Sequence, residues 1–376
     1  MVTLYPSENN YKNNFDFSRV VLATIVVFCH CYVIYDGSLL REPLWRLSNH
    51  QLTLGTFAIN FFFVISGFLI SQSWDRSRNL PYFLKKRFLR IYPGFIFVCL
   101  ACAFLFAPLG RTLPTTITEY WSSIDFKHFA LRTLTLREPI LPETYKTLPY
   151  PGSINGSLWS ISYEFICYII IPVCALVGAF QQRGRVLLIF LVVLLINVVD
   201  YKAYYLRGPY APLGFGLMPQ YFQVYSPKWL TLIHLLLPFV AGMCFYTYRQ
   251  YIPRSIYLVA FSIAVLVLTL RWLNFFEIAQ SVFGAYVLFY FVFNQKVRLH
   301  RFAKYGDFSY GIYLYGWPVQ QLVMLYAGHS MGVYGLFLVS MVIVMPCAAI
   351  SWFLVEKPFL RLNTKPAAPA PVLVAN

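Results

Sequence analysis

Three ionisable residues fall inside long apolar stretches of this 376-residue chain, Arg19, His30 and Glu164, and a fourth, Glu356, closes another. At membrane depth an ionisable side chain costs several kcal/mol, so each is a candidate for chemistry. Arg19 and His30 stand eleven residues apart in FDFSRVVLATIVVFCH. At 100° and 1.5 Å per residue, that spacing puts them within about 20° of one helix face and about 17 Å apart along it. Arg19 lies near the end of its segment, where snorkelling satisfies it, whereas His30 has no such escape. Glu164, in GSLWSISYEFICY, sits about 12 Å in from the opposite boundary, at the depth of His30. A pair between them is the expectation, with the carboxylate fixing the tautomer of a ring that exchanges protons near neutral pH. In the bland alternative His30 bonds a neighbouring helix and Glu164 is a protonated core residue.

A second group suits anion binding. YFLKKRFLRIYPGF compresses Lys85, Lys86, Arg87 and Arg90 into six positions. Arg87 and Arg90, at i and i+3, project from one helix face as planar forks able to grip phosphate, or serve only as a positive-inside signal. Ahead of them INFFFVISGFLISQSW carries Ser66 beside Gly67, small residues that suit a ligand or close helix packing. Other chemistries fail on spacing. There is no P-loop, dinucleotide glycine fingerprint, GxSxG elbow or zincin helix, and Tyr35 occupies the place where an H-x4-D motif starting at His30 needs its Asp. Cys29 and Cys31 flank His30 but face different sides of a helix, so no metal site is expected. All eight cysteines lie in apolar runs, which argues against a disulfide framework. His50, His128, His234, His300 and His329 have no second motif nearby and read as interfacial or packing residues.

The elements that must hold these side chains follow from composition. Hydrophobic residues make up 59% of the chain and charged residues 12%, against about 45–50% and about 25% in soluble domains. With a mean hydropathy of +0.60, the chain reads as an all-α, polytopic transmembrane helical bundle. Apolar runs bounded by Gly, Pro and charge give ten candidate spans, approximately 15–35, 52–73, 91–107, 156–178, 186–199, 229–248, 255–273, 276–294, 308–328 and 332–354. Thirty Lys and Arg against 14 Asp and Glu give a net charge of +16. These basic residues sit in short loops between spans, so they report orientation, and no nucleic-acid partner is expected. Nineteen of the 30 fall on the side of the Lys85–Arg90 cluster, which with both termini is expected to be cytoplasmic. The other side carries the longer connections, about 108–155 and 200–228, rich in Pro, Tyr and Trp and expected to fold over a cavity. Within the second, 208–222 is a candidate re-entrant segment. Residues 1–365 read as one integral-membrane domain and 366–376 as a Pro/Ala-rich flexible tail. An intramembrane His, Glu and Arg set would also suit a proton-coupled transporter or flippase of a glycan or lipid-linked substrate, but no inverted repeat is visible.

Taken in order, FDFSRVVLATIVVFCH with its R-x10-H spacing, FFFVISGFLIS, KKRFLRIYP, SLWSISYEFICY, FSYGIYLYGWPVQQ and FLVEKPF make the chain resemble the acyltransferase 3 family, bacterial inner-membrane enzymes that O-acylate surface glycans and other extracytoplasmic acceptors. The resemblance implies a multi-pass inner-membrane O-acyltransferase with no bound cofactor, whose acyl-CoA donor, usually acetyl-CoA, enters from the cytoplasm. It also implies an essential first-helix histidine, His30, and a functional arginine pair, Arg87 and Arg90. On this reading Arg19, Arg87, Arg90 and Ser66 bind the donor. His30, with Glu164, is catalytic, as general base for a sugar hydroxyl or as transient acyl carrier. Trp159, Tyr163 and Tyr168 stack on the acceptor, a glycan or lipid-linked oligosaccharide, with membrane lipid around the bundle. Gly316 in YLYGWPV stands where some members carry a histidine, so no second catalytic histidine carries over.

Overall fold

Each of the ten apolar intervals falls largely on a helix in the computed structural model, which describes residues 3–5, 13–110, 116–142, 145–207 and 228–362. The expectations for 208–222 and for the tail at 366–376 lie outside these residues. The principal helices are α1 (Phe15–Asp36), α2 (Leu54–Ser77), α3 (Leu80–Ala101), α4 (Trp159–Leu176), α5 (Arg183–Arg207), α6 (Lys228–Thr247), α7 (Ile256–Leu268), α8 (Ala285–Val292), α9 (Ser309–Ala327) and α10 (Gly332–Ser351). Among the described residues there is no strand, so the fold is all-helical. Seven helical stretches are long and apolar enough to cross a membrane by length and composition. One of them, Ser309–Arg361, runs for 53 residues but turns back where Gly328 (φ 60°) and Gly332 (φ 65°) adopt positive φ. Gly311 then packs on Ala348, where an added Cβ would stand 2.7 Å from the Ala348 Cα.

Local chemistry starts and stops the helices that carry the candidate residues. Thr53 caps α2 by accepting from the Thr56 amide at 3.1 Å, and Asn79 caps α3 by accepting from the Tyr82 amide at 2.9 Å. Arg78, at φ 45°, makes the sharp turn between them, and the hairpin brings the end of α2 beside the Arg87 turn of α3. The α2–α6 contact is closer than any side chain permits: a Cβ on Gly67 would stand 1.9 Å from the Phe239 carbonyl oxygen, and one on Gly242 2.1 Å from that of Val64. Gly67 is thus a packing residue, whereas the adjacent Ser66 faces a cavity. On the other flank of α1, Gln320 of α9 donates to the Val27 carbonyl at 2.7 Å. Four π-helical turns occur among the described residues, and one of them, Trp352–Glu356, delivers Glu356 to the arginine end of the bundle.

The connection after α3 folds over the bundle as expected. Short helices at Ile117–Ser122 and Phe126–Leu134 lead into a segment tied to α9 by side chains. Asn155 donates to the Leu314 carbonyl at 2.8 Å, Ser157 to that of Tyr313 at 3.1 Å, and Gln321 to that of Tyr150 at 3.0 Å.

Candidate functional site

Two cavities lie end to end along the bundle and share Ile59. Four helices line both. Thr53, the cap of α2, with Thr56 and Asn60 of that helix face the first, of about 290 Å³, and its Ser66, Ser73 and Arg76 face the second, of about 540 Å³. Likewise His30 of α1, Trp159 of α4 and Trp317 of α9 face the first, while Arg19, Glu164 and Tyr310 of the same helices face the second. The bundle therefore encloses an imidazole chamber and an arginine chamber in series.

His30 presents its ring edge-on to Trp317, with centroids 4.9 Å apart and planes at 76°. Among the described residues no hydrogen bond reaches its ring nitrogens, so the imidazole faces the chamber unengaged. The expected pair with Glu164 is not formed. Glu164 Oε1 instead accepts from Ser66 Oγ at 3.0 Å and from the Tyr168 hydroxyl at 2.5 Å, in the arginine chamber. Matching depths on two helices says nothing about which way a side chain turns around its axis, and α4 turns Glu164 toward α2. Two other carboxylates line the imidazole chamber, Glu277 and Glu138, the latter from the loop after Phe126–Leu134. Glu138 is the one held by hydrogen bonds: it accepts from Ser153 Oγ at 2.7 Å and the Asn155 amide at 2.8 Å. Burial pushes its carboxyl above the ordinary range, outweighing those hydrogen bonds and the Arg132 charge.

The arginines also divide. Arg19 and Arg90 both donate to Asp307 Oδ2, at 2.7 and 2.5 Å, and Glu356 stands 3.9 Å from Arg90. Asp307 Oδ1 accepts from Ser309 Oγ at 2.5 Å. Burial raises the Asp307 carboxyl, but the Arg19 and Arg90 charges and the Ser309 hydroxyl lower it further, and it is held well below the usual carboxylate range. The expected Arg87–Arg90 grip is corrected accordingly: Arg90 is occupied by carboxylates, while Arg87 forms no ion pair among the described residues. Arg87 lies over the Phe83 and Tyr168 rings, donates to Ser73 Oγ at 3.4 Å, and leaves its Nε buried without a partner among the described residues. The expected aromatic trio splits too. Trp159 lines the imidazole chamber and packs on Tyr163 at 6.0 Å, but Tyr168 is part of the Glu164–Arg87 group.

A family model described as an acyltransferase domain matches residues 12–355, nearly the whole chain. The chain belongs to the acyltransferase 3 family. It is 30% identical to a protein named O-acetyl transferase from Shigella phage Sf6, over 94% of this chain and 97% of the relative. It is 26% identical to Nodulation protein 10 of Rhizobium leguminosarum bv. viciae, over 95% of each. A shorter match, 26% over 40% of this chain and 36% of the relative, is to an acyltransferase of Streptomyces mycarofaciens. No solved structure matches. The protein is thus an acyltransferase built on a multi-pass helical membrane fold. Three residues in or beside this acyltransferase's chambers are not evident in its sequence. Asp307 two residues before α9 looks like a helix-end residue, and its Oδ1 does accept from the Ser309 amide at 3.3 Å; Glu138 looks like a loop carboxylate; and Trp317 looks like core. Only the first carried a signal, an acidic residue beside FSYGIYLYGWPVQQ facing a surplus of arginines. Gly316 has no room for a larger side chain, since a Cβ there would meet Val27 Cγ2 at 2.6 Å.

Proposed function

We propose that this acyltransferase moves an acyl group, acetyl above all, from cytoplasmic acyl-CoA to a hydroxyl of an extracytoplasmic or lipid-linked carbohydrate, across the inner membrane of a bacterium. The observation that carries the reading is the pair of chambers in series, one lined by Arg87 and the other by His30. Arg87, with Arg76 and Lys86 at the same chamber, suits the phosphates of CoA. Eleven residues of α1 separate Arg19 from His30, about 17 Å of rise, a distance the pantetheine arm can cover. The Lys and Arg partition supports ten spans with both termini and the arginine chamber on the cytoplasmic side. The phage relative's name supports acetyl as the group moved.

In the reaction His30 takes the proton of the acceptor hydroxyl, the oxygen attacks the thioester carbonyl, and the CoA thiolate leaves toward the arginines. An imidazole without a carboxylate partner is well suited to act as a neutral base. Glu164 then acts on the donor side, orienting Ser66 and Tyr168 and balancing Arg87. The test is transfer of labelled acetyl from acetyl-CoA to glycan by the purified protein in nanodiscs. His30→Gln keeps the size of the side chain but cannot accept the proton, and is expected to abolish transfer with acetyl-CoA binding and folding intact. Wild-type transfer by that variant would overturn the assignment of His30 as the base.

A further inference from the structure

The imidazole chamber has a second polar wall that catalysis at His30 does not use. His234 of α6 holds Asp200 of α5, Nε2 to Oδ2 at 3.1 Å, with side chains only 14% and 25% exposed. Glu277, in the short helix Phe276–Ala279 leading to α8, faces the same chamber within electrostatic range of His234. Among the described residues its carboxylate has no hydrogen-bond partner. A carboxylate turned into an enclosed space without a partner is costly unless a ligand supplies donors. The rest of the chamber says which donors. Tyr150, Trp159 and Trp317 offer ring faces and edges, Glu138 offers a second acceptor, and among the described residues no Lys or Arg lines the space.

Resting on the proposed O-acyl transfer, we propose that His234, with Asp200, and Glu277 form the acceptor-recognition wall of the His30 chamber and select an uncharged polyhydroxyl ligand, a neutral sugar, over one that carries a carboxylate. Hydroxyls of a neutral sugar donate to Glu277 and exchange hydrogen bonds with the His234 ring, while its apolar face lies on the tryptophans. Anchored from that wall, the sugar turns a hydroxyl toward His30. A uronic acid would bring a third carboxylate into a space that already holds Glu138 and Glu277 and whose described lining has no Lys or Arg to receive it, so the chamber discriminates by repulsion as well as by fit.

The test uses the full chain in nanodiscs with acetyl-CoA and two matched panels of oligosaccharides, neutral hexoses and their uronic acid counterparts. Wild-type enzyme is expected to favour the neutral panel in kcat/KM by at least about tenfold. Glu277→Gln, the same in shape, is expected to raise KM for the neutral acceptor several-fold, leave KM for acetyl-CoA unchanged, and narrow the preference against uronates. Equal use of both panels by the wild-type enzyme overturns the proposal without any variant. So does an unchanged neutral-to-uronate ratio in Glu277→Gln, with acyl transfer itself left standing. Absence of transfer to every glycan, with acetyl-CoA still bound, removes the acyl-transfer reading and this inference with it.

Discussion

Replacing Asp307 by Asn removes the charge that Arg19 and Arg90 share. Both guanidinium contacts go to one oxygen, at 2.7 and 2.5 Å, and the three side chains are 22%, 17% and 12% exposed. The next carboxylates, Asp16 and Glu356, stand 3.9 Å from Arg19 and Arg90 respectively, too far to replace the lost hydrogen bonds. At an effective dielectric of about 20, a contact near 4 Å carries roughly 4 kcal/mol, and orphaning one member of a buried pair costs about 3–5 kcal/mol. Partial exposure favours the lower end, about 3 kcal/mol. At roughly 2–4 °C per kcal/mol the midpoint should fall by about 6–12 °C. The assay is thermal unfolding of detergent-purified protein at one scan rate, with Arg19→Gln/Asp307→Asn beside the single variant. Removing one surplus cation should recover a substantial part of the loss. The pH dependence has a fixed sign. A carboxyl held below its ordinary value adds stability that is present above the unfolded value, about 3.9, and is lost as pH falls through the folded one. The gap between wild type and Asp307→Asn should stay level from about pH 5 to 8 and narrow only below about 4. A shift under about 2 °C, or a gap that closes by pH 6, would refute the claim that Asp307 is the ionised clamp of the arginine chamber.

Arg87→Lys keeps the positive charge and loses the fork, so KM for acetyl-CoA should rise about tenfold with membrane insertion unchanged; an unaltered KM would leave Arg87 as an orientation signal. Gly67→Ala drives a methyl against the Phe239 carbonyl and should cost at least about 1–3 kcal/mol, read as a lowered unfolding temperature, where a neutral result would deny the close α2–α6 contact. Glu138, raised by burial, adds stability that is present below its unfolded value and lost as pH rises through the folded one. Glu138→Gln should therefore fare better relative to wild type at pH 8 than at pH 5 in unfolding scans, and the opposite trend would mean that the carboxylate is stabilised as an anion.

The chain's excess of apolar residues and the 3.6-residue reach of its helices made the class of fold, the principal helices and the position of His30 along its helix legible in sequence. Those properties are local or one-dimensional, and in a bilayer backbone hydrogen bonds must be closed within each segment, so hydropathy maps almost directly onto helices. Arg19 and His30 could be put on one face because they share a helix. The partners of these residues were another matter. Glu164 matched His30 in depth yet joined Ser66 and Tyr168, Arg90 matched Arg87 in register yet was taken by Asp307, and Glu138 entered the imidazole chamber from a loop. Such pairings depend on the rotation of each helix about its axis and on which helices touch, and here contacts such as Gly67 against Phe239 and Gly316 against Val27 set both. Hydropathy is blind to that rotation, because a helix buried all round carries no amphipathic stripe to orient it. Sequence alone therefore determined where along its helix each charged group lies, and tertiary packing decided which chamber it faces and which charge it meets.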